Sequence, residues 1–410
     1  MSSFQVSKIL VIGGTGAQGS PIVRELVKDR RYHVRVMTRD PNSRRAKDLA
    51  ELSGVELFQG TFASEDDLTC GFTGCDGAVS TSHLTLCDTV EEQFPNLLYD
   101  FHAKVRDEQY VNIDGFNCGE KSELFWGIRA YEIAISVGLK FYVWGNLDYG
   151  LKKAAWNPKY RCGHYDGKGR VGEWILQHAT PQMGVALFTT GPYIDMALSP
   201  LTIMTPRLID GSLTWSLPLG DGEVAHVALS DCGVYVRWLF DNTGRANGMD
   251  LEVAIAHTSY SEVAASFEKV TGRPARYVDV PFAEYFKAFS GRESFMSVLK
   301  NPNMGLMSKL RFGFGFSTKQ PSSYNADPAD PATLSFETNF TGFWNLWKAS
   351  KGNNGVLRRN YEFLDEIHPN RIKSVEEWFR KEAEKGDLWE RVSNMAPILK
   401  WSEDGAKGTI

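Results

Sequence analysis

The sequence lacks long hydrophobic runs and any strong excess of charge. No uncharged apolar stretch reaches the roughly 18 residues that a membrane-spanning helix needs. The N-terminus shows no basic segment followed by a long apolar one, so we expect no signal peptide and a cytoplasmic protein. The 45 basic and 50 acidic residues give a net charge of −5, and phosphate binding needs clustered Lys and Arg. We therefore expect neither a membrane nor a nucleic-acid partner.

Cysteines are few and scattered. No two of the six form a Cys-x-x-Cys pair, and no spacing matches a zinc site, so the sequence predicts free thiols and no metal site. The rest of the composition is ordinary for a globular protein, with 42% hydrophobic and 23% charged residues among 410. That length predicts two or three domains.

Short apolar runs alternate with helical patterns over the first half of the chain. An uninterrupted apolar run suits a parallel strand that is buried on both faces, and strand–helix alternation is typical of a doubly wound parallel sheet. The predicted strands are Lys8 to Ile12, His33 to Thr38, 55 to 59, 78 to 82, Lys140 to Trp144 and Gly184 to Thr189. The pattern predicts a loop over 145–163, a helix from about Gly167 to Gln177, and later a strand from Leu251 to Ala256.

A glycine-rich loop follows the first strand. Gly14, Gly16 and Gly19 fit Gly-x-Gly-x-x-Gly, and the loop lies directly between a buried strand and an amphipathic helix. Glycines allow the tight turn and the close approach of a pyrophosphate, which the helix N-terminus attracts. The pattern predicts a dinucleotide site formed by Gly14, Thr15, Gly16, Ala17, Gln18 and Gly19. The alternative interpretation is an ordinary glycine-rich turn.

The end of the second strand should select the cofactor. A site that prefers NAD usually places an acid about 20 residues after the loop, where this chain has Arg39. Arginine pairs bidentately with phosphate, and Ser43 adds a donor, so we expect NADP(H). The alternative is that Arg39 is a surface cation and Asp40 binds the ribose.

Several motifs together resemble one known family. They are GGTGAQG after the first strand, TRDP after the second, HYDGKGRVGEWI at 164–175, TTGPYID at 189–195, LSDCG at 229–233, TGRPARYVDVP at 271–281 and the C-terminal SVEEWFRK. The chain resembles the NmrA-like group of atypical short-chain dehydrogenases, which has isoflavone-reductase-like relatives. The match runs discontinuously from about residue 8 to 381.

The resemblance implies an α/β fold: a Rossmann-type doubly wound parallel sheet with a smaller C-terminal α+β substrate or cap domain, usually with NADP(H). We place an NADP-binding Rossmann domain at 1–190, with an insertion at about 84–122. The region 191–410 is then a mixed substrate-binding and cap region, from which some strands and helices return to the Rossmann domain. We expect 290–350 to include a cap.

The resemblance also identifies catalytic candidates. Ordinary short-chain dehydrogenases use a Ser and a Tyr-x-x-x-Lys pair, and Lys168 matches the lysine. His164 replaces the tyrosine, Tyr165 is one residue out of register, and Gly145 or Asn146 stands at the serine position. Lys168 is expected to contact the ribose or nicotinamide and to act as a general acid, unless it is only a solvated helix lysine.

The remaining candidates lie near the predicted strand ends. We expect His164 to titrate near neutrality if it is not merely structural, because an ordinary imidazole does so. Tyr193 is expected to contact the cofactor. Asp195 is a candidate acid or base, with a structural role as the alternative. Thr81 and Ser82, at the end of the fourth strand, are expected to line the cofactor.

The abundance of aromatic residues, with 24 Phe, 15 Tyr and 11 Trp, suits a pocket for a bulky hydrophobic small molecule. The leading hypothesis is an NADPH-dependent reductase of such a substrate. One alternative is a non-redox isomerase or cyclase that keeps the cofactor as part of its pocket. Another is a non-catalytic NADP(H)-sensing regulator that binds a protein partner. The sequence leaves the oligomeric state open.

Overall fold

The computed structural model describes residues 4–81, 123–199, 202–287, 334 and 336–393. The predicted insertion at 84–122, Ser82 and most of the expected cap lie outside these residues. In chain order the strands are β1 (Lys8–Ile12), β2 (His33–Thr38), β3 (Val55–Gln59), β4 (Gly77–Ser80), β5 (Phe141–Leu147), β6 (Gly184–Thr190), β7 (Arg207–Ile209), β8 (Ser212–Leu217), β9 (Val224–Ala225), β10 (Met249–Glu252), β11 (His257–Thr258) and β12 (Ala275–Asp279).

The helices surround these strands on both sides. They are α1 (Gly19–Val27), α2 (Arg44–Ala50), α3 (Glu65–Phe72), α4 (Glu123–Ser136), α5 (Gly150–Lys153), α6 (Gly163–Gln177), α7 (Leu229–Asp241), α8 (Thr243–Ala246), α9 (Tyr260–Thr271), α10 (Phe282–Lys287), α11 (Phe336–Lys348), α12 (Tyr361–Ile367), α13 (Val375–Ala383) and α14 (Leu388–Ser393).

Seven strands form one parallel sheet in the order β10-β6-β5-β4-β1-β2-β3. Every residue of β5 and β6 is buried, as expected for apolar strands covered on both faces. One hydrophobic core packs α1 and α7 against one face, and a second packs α3, α4 and α6 against the other. The doubly wound fold predicted from the alternation of elements is therefore confirmed.

The C-terminal part adds two small sheets and further helices. β12 and β7 flank β8 in a three-stranded sheet, and β11 pairs with β9. These elements share a third core with α9, α11 and α13, which includes the buried side chains of Trp215, Phe267 and Trp344. The strand β10 joins the edge of the large sheet instead. The division at residue 190 stays a prediction.

Several predicted boundaries near the sheet were wrong. The fourth strand was predicted over 78 to 82, but β4 ends at Ser80 and Thr81 lies outside it. β5 continues to Leu147 rather than ending at Trp144, and α6 begins at Gly163 rather than Gly167. The predicted loop 145–163 therefore holds the end of β5, the short α5 and a 3₁₀ turn at Pro158–Tyr160. Gly145 allows β5 to pack closely at this point, because a Cβ there would lie 2.2 Å from the Ser80 carbonyl oxygen. The strand predicted from Leu251 is β10, which ends at Glu252.

None of the helices within the described ranges has both the length and the apolar character needed to cross a membrane.

Candidate functional site

The glycine loop packs too tightly for side chains. The Gly16 N–H donates to the Gly13 carbonyl oxygen at 2.8 Å. A Cβ at Gly19 would lie 2.2 Å from the same oxygen, and one at Gly14 would lie 2.8 Å from Cγ1 of Val36. Only backbone atoms therefore fit where β1 meets α1. A bound pyrophosphate requires this arrangement, because it must approach the backbone N–H groups closely.

The loop adjoins the end of β2, where Arg39 stands. The hydroxyls of Thr15 and Thr38 are 3.5 Å apart, and the Arg39 side chain is exposed one residue further on. Ser43 caps α2: its Oγ accepts the Ala46 N–H at 3.3 Å. The glycine loop and the end of β2 thus bring together the residues predicted to bind the pyrophosphate and those predicted to bind the 2′-phosphate of NADP(H).

The alternative ribose ligand, Asp40, has a local role in this structure. Its Oδ1 accepts the Asn42 N–H at 2.9 Å, and its carbonyl oxygen accepts the Ser43 hydroxyl at 3.0 Å. Side chains that bond their own backbone in this way stabilise turns. The geometry therefore gives Asp40 a turn-forming role, and the role of Arg39 stays a prediction.

Thr81 and Gln18 complete the candidate cofactor edge. The Thr81 hydroxyl donates to the Ile12 carbonyl oxygen at 2.8 Å, which fixes the end of β4 beside the loop. Gln18 is buried immediately before α1. Tyr193, just after β6, is also buried, and burial raises the pKa of its hydroxyl, so it stays protonated.

The side chain of Lys168 lies at the carboxyl end of β5. Its Nζ donates to the Gly145 carbonyl oxygen at 3.3 Å and stands 4.7 Å from the centre of the Trp144 ring. Only 2% of the residue is exposed, so it is not a solvated surface lysine. The Asn146 amide, near the usual serine position, donates instead to the Thr189 hydroxyl at 2.9 Å.

His164 lies one turn before Lys168 on the same helix, because α6 begins at Gly163. Burial lowers the pKa of His164 to about 4, so the prediction that it titrates near neutrality was wrong. Its Nδ1 lies 3.1 Å from the amide nitrogen of Asn339 and 3.4 Å from the Cys162 sulfur. The ring stacks on Phe343 of α11, with centroids 6.0 Å apart.

Tyr165 points into the C-terminal core. Its ring makes edge contacts with Phe343 and Trp347, at centroid distances of 5.8 and 6.3 Å. Its hydroxyl has no hydrogen-bond partner among the described residues, and burial raises its pKa. The ring of Tyr165 therefore packs against α11.

Asp195 is a buried carboxyl group in the turn after β6. Its Oδ2 finds no hydrogen-bond partner in the described part of the chain. Burial, followed by the charge of Glu382 on α13, raises its pKa to about 7. Such a group exchanges a proton near neutral pH, which is what acid–base catalysis requires.

Two features of this edge were missed from the sequence. Asn339 of α11 reaches α6 from 175 residues away. The fully buried Arg359 forms a bidentate pair with Asp148, just after β5, at 3.0 and 2.7 Å. No spacing rule connects residues so far apart. Nothing in the local sequence indicated burial either, because Asn339 follows Thr338 and Arg359 stands between Arg358 and Asn360.

The fold and this edge define a Rossmann-type α/β protein with a glycine-rich loop between β1 and α1. A model of the NmrA-like family matches residues 5–95 and 116–304, and the chain belongs to that family. The resemblance drawn from the motifs is thus confirmed.

Curated and solved relatives agree with this assignment. The chain is 25% identical over 288 residues to an NmrA-like family domain-containing oxidoreductase, FrzB, of Cladobotryum sp., covering 66% of this chain and 76% of the relative. It superposes on NmrA, a negative transcriptional regulator solved with NADP, with a TM-score of 0.56 at 16% identity over 94% and 99% of the chains. The triphenylmethane reductase of Citrobacter sp., solved with NADP(H), gives a TM-score of 0.55 at 13% identity over 92% and 99%.

Proposed function

We propose that the chain binds NADP(H) and reduces a bulky hydrophobic small molecule. One observation carries the proposal: the compact glycine loop and the buried Lys168 both lie at the carboxyl ends of the parallel strands. Ligands of open α/β sheets bind at that edge. The NADP and NADP(H) in the two solved neighbours, and the oxidoreductase name of the fungal relative, support the same function.

The residues at this edge fit the cofactor. The loop from Gly14 to Gly19 offers backbone N–H groups to the pyrophosphate, and a Cβ at Gly19 would fill the cradle. Arg39 and Ser43 suit the 2′-phosphate, since guanidinium groups pair with phosphate oxygens. Thr81, Ser82 and Tyr193 are proposed to line the cofactor, and Lys168 to bind the nicotinamide ribose. When bound, the nicotinamide would supply the hydride.

The chain's own groups must then hold the substrate and move the proton. Lys168 provides an ammonium donor at the carboxyl end of β5. Asp195, with its pKa near 7, can give or take a proton at neutral pH. Neutral His164 can donate a hydrogen bond but not an imidazolium proton, and Phe340 and Phe343 pack beside it. That aromatic surrounding suits a flat, apolar substrate.

The reductase proposal is tested by following NADPH absorbance and product mass together. The probes are flat hydrophobic quinones, enones and cyclic imines. A product two mass units heavier, with stoichiometric loss of NADPH, supports reduction by hydride and proton (about 2 mass units in total). A product of unchanged mass, formed without loss of NADPH, would contradict the reductase proposal and support the isomerase or cyclase alternative.

A second candidate function is a non-catalytic regulator that senses NADP(H) and binds a protein. Two observations favour it: the Tyr165 hydroxyl has no hydrogen-bond partner among the described residues, and the fold is similar to that of NmrA. Turnover distinguishes the two functions. The regulator would be favoured if the protein binds NADP(H) tightly but neither reduces nor isomerises any probe. Lys168→Met should then leave the affinity for a protein partner unchanged.

A further inference from the structure

The orientation of the Asn339 amide is set by the backbone. Asn339 is fully buried on α11, and its Oδ1 accepts the N–H of Gly163 at 2.8 Å. A backbone N–H can only donate, so the oxygen of this amide, and not its nitrogen, must face Gly163. The amide nitrogen therefore points at His164.

That orientation determines where the proton of His164 resides. The Asn339 Nδ2 is 3.1 Å from Nδ1 of the imidazole, and an amide nitrogen can only donate. Nδ1 must then carry a lone pair, which places the imidazole proton on Nε2. The Asn339 Oδ1 lies farther from Nδ1, at 3.5 Å, so a proton on Nδ1 would still meet a hydrogen of the nearer amide nitrogen.

The neighbouring thiol agrees with this tautomer. The Cys162 sulfur lies 3.4 Å from Nδ1, and burial together with the charge of Asp166 raises the pKa of the thiol. A protonated thiol can share the Nδ1 lone pair as a weak donor. Cys162 and His164 are both neutral, so this pair is not the thiolate–imidazolium pair of a cysteine nucleophile.

The contact that brings Asn339 to α6 is held by close packing. A Cβ at Gly342 would lie 1.7 Å from the Arg161 carbonyl oxygen, so α11 touches the start of α6 through glycine backbone. Phe340 and Phe343 pack on the imidazole at centroid distances of 5.4 and 6.0 Å. The ring is therefore held against both translation and rotation.

We propose that Asn339 is a positioning residue that fixes His164 as the neutral Nε2–H tautomer, one helical turn before Lys168. Resting on the proposed reductase function, this tautomer makes Nε2, and not Nδ1, the atom through which His164 can donate a hydrogen bond to the substrate's carbonyl oxygen or imine nitrogen. The substrate class is thus a hydrophobic molecule with an acceptor atom at the reacting centre. A neutral imidazole polarises such a group without giving up its proton.

The test is the protonation of the two His164 nitrogens in the full-length protein. Long-range proton–nitrogen NMR on protein labelled at histidine reports each nitrogen, and the His164→Phe variant assigns the signals among the eight histidines. We expect a bare Nδ1 and a protonated Nε2 across neutral pH. A protonated Nδ1 in the wild type would overturn the proposal.

The Asn339→Asp variant changes one atom of this contact. Its carboxylate still accepts from Gly163 but offers only acceptors to His164, so Nδ1 should gain a proton and the pKa of His164 should rise. Asn345→Asp is the matched control: its amide donates to the Lys159 carbonyl oxygen at 3.1 Å from the same helix, and it should leave both nitrogens unchanged. Unchanged nitrogens in Asn339→Asp would also overturn the proposal.

Turnover adds an independent readout. With any probe that the wild type reduces, Asn339→Asp should lower kcat about tenfold, as for loss of one oriented hydrogen bond, while KM for NADPH stays constant. Equal loss in Asn345→Asp would mean that only packing is involved, and would contradict the proposal. If no probe is reduced at all, the reductase function fails, whereas the tautomer measurement still decides the role of Asn339. Asn339→Ala, which leaves Nδ1 without its donor, serves if the aspartate variant does not fold.

Discussion

The glycine loop and the α6–α11 junction (His164 and Tyr165 with Asn339 and Phe343) are built from contacts of very different range. Within the loop, Gly13 contacts Gly16 and Gly19 in the same turn. At the junction, the partners are 175 residues apart. Because the contacts within the loop are local, its conformation could be predicted from the sequence. The junction depends on contacts between distant residues and therefore on the folding of the C-terminal part.

The largest expected effect is on the long-range side. Arg359→Met leaves the carboxylate of Asp148 buried, with Lys153 as its remaining cation, and should lower the free energy of unfolding by about 3–5 kcal/mol. Urea denaturation measures this loss. Arg358→Met, at an exposed arginine next in sequence, is the control and should cost far less. Equal losses would mean that the buried pair does not hold the two parts together.

On the local side, Gly19→Ala should be almost as damaging. Its Cβ would meet the Gly13 carbonyl oxygen at 2.2 Å, so the loop must shift, at a cost of about 1–3 kcal/mol in stability. NADP(H) binding should be lost as well, which calorimetry can detect. Ser20→Ala, one residue further on, should retain binding. Normal NADP(H) binding by Gly19→Ala would contradict the claim that the Gly14–Gly19 loop has no room for a side chain.

We attribute the expected preference for NADP(H) over NAD(H) to Arg39. Arg39→Ala should weaken NADP(H) binding by about 1.5–3 kcal/mol, the range of a hydrogen bond to a charged group, and leave NAD(H) binding nearly unchanged. Titration calorimetry with both cofactors measures the difference. Asp40→Asn is the control for the ribose alternative and should preserve the preference. Equal affinity of the wild type for the two cofactors would contradict the assignment.

Asp195 allows a test by pH. Its pKa near 7 exceeds the value of 3.8 in the unfolded chain, so the folded state holds an extra proton between these pH values. Its contribution to stability is therefore present at low pH and is lost as pH rises through about 7. Asp195→Asn should gain stability relative to the wild type over that range, measured by denaturation at several pH values. A constant difference at every pH would show that Asp195 is ionised when buried.

The smallest effect is expected at Tyr165. Because its hydroxyl has no described hydrogen-bond partner, Tyr165→Phe should change stability and turnover little. Lys168→Met should remove most turnover and serves as the contrasting variant. Steady-state kinetics with NADPH and a reducible probe compares them. Loss of turnover in Tyr165→Phe would return the proton-donating role to this tyrosine.

The two regions also differ in how far the sequence predicted them. Apolar runs such as Lys8–Ile12 fixed the strands, because a buried parallel strand needs little context. The start of α6 was missed because Gly163 and Gly167 are poor helix formers in isolation. In the structure, Asp166 accepts the Cys162 N–H at 2.8 Å and Asn339 accepts that of Gly163, so tertiary contacts begin the helix there.

The chemistry at the junction was equally hidden. A solvated imidazole titrates near neutrality, whereas burial, to which the packing of α11 contributes, lowers the pKa of His164. The family-level features, namely the loop, Arg39 and Lys168, follow from local sequence. The contacts of His164 depend on residues of the C-terminal part that no spacing rule connects to it.

The most direct test of the account is a crystal structure of the full-length protein with NADP⁺. We predict pyrophosphate on the Gly14–Gly19 loop, the 2′-phosphate against Arg39, and the nicotinamide ribose within hydrogen-bond distance of the Lys168 Nζ. His164 should lie beside the nicotinamide with Asn339 still bound to its Nδ1. A cofactor whose ribose is remote from Lys168, or whose 2′-phosphate lies away from Arg39, would contradict it.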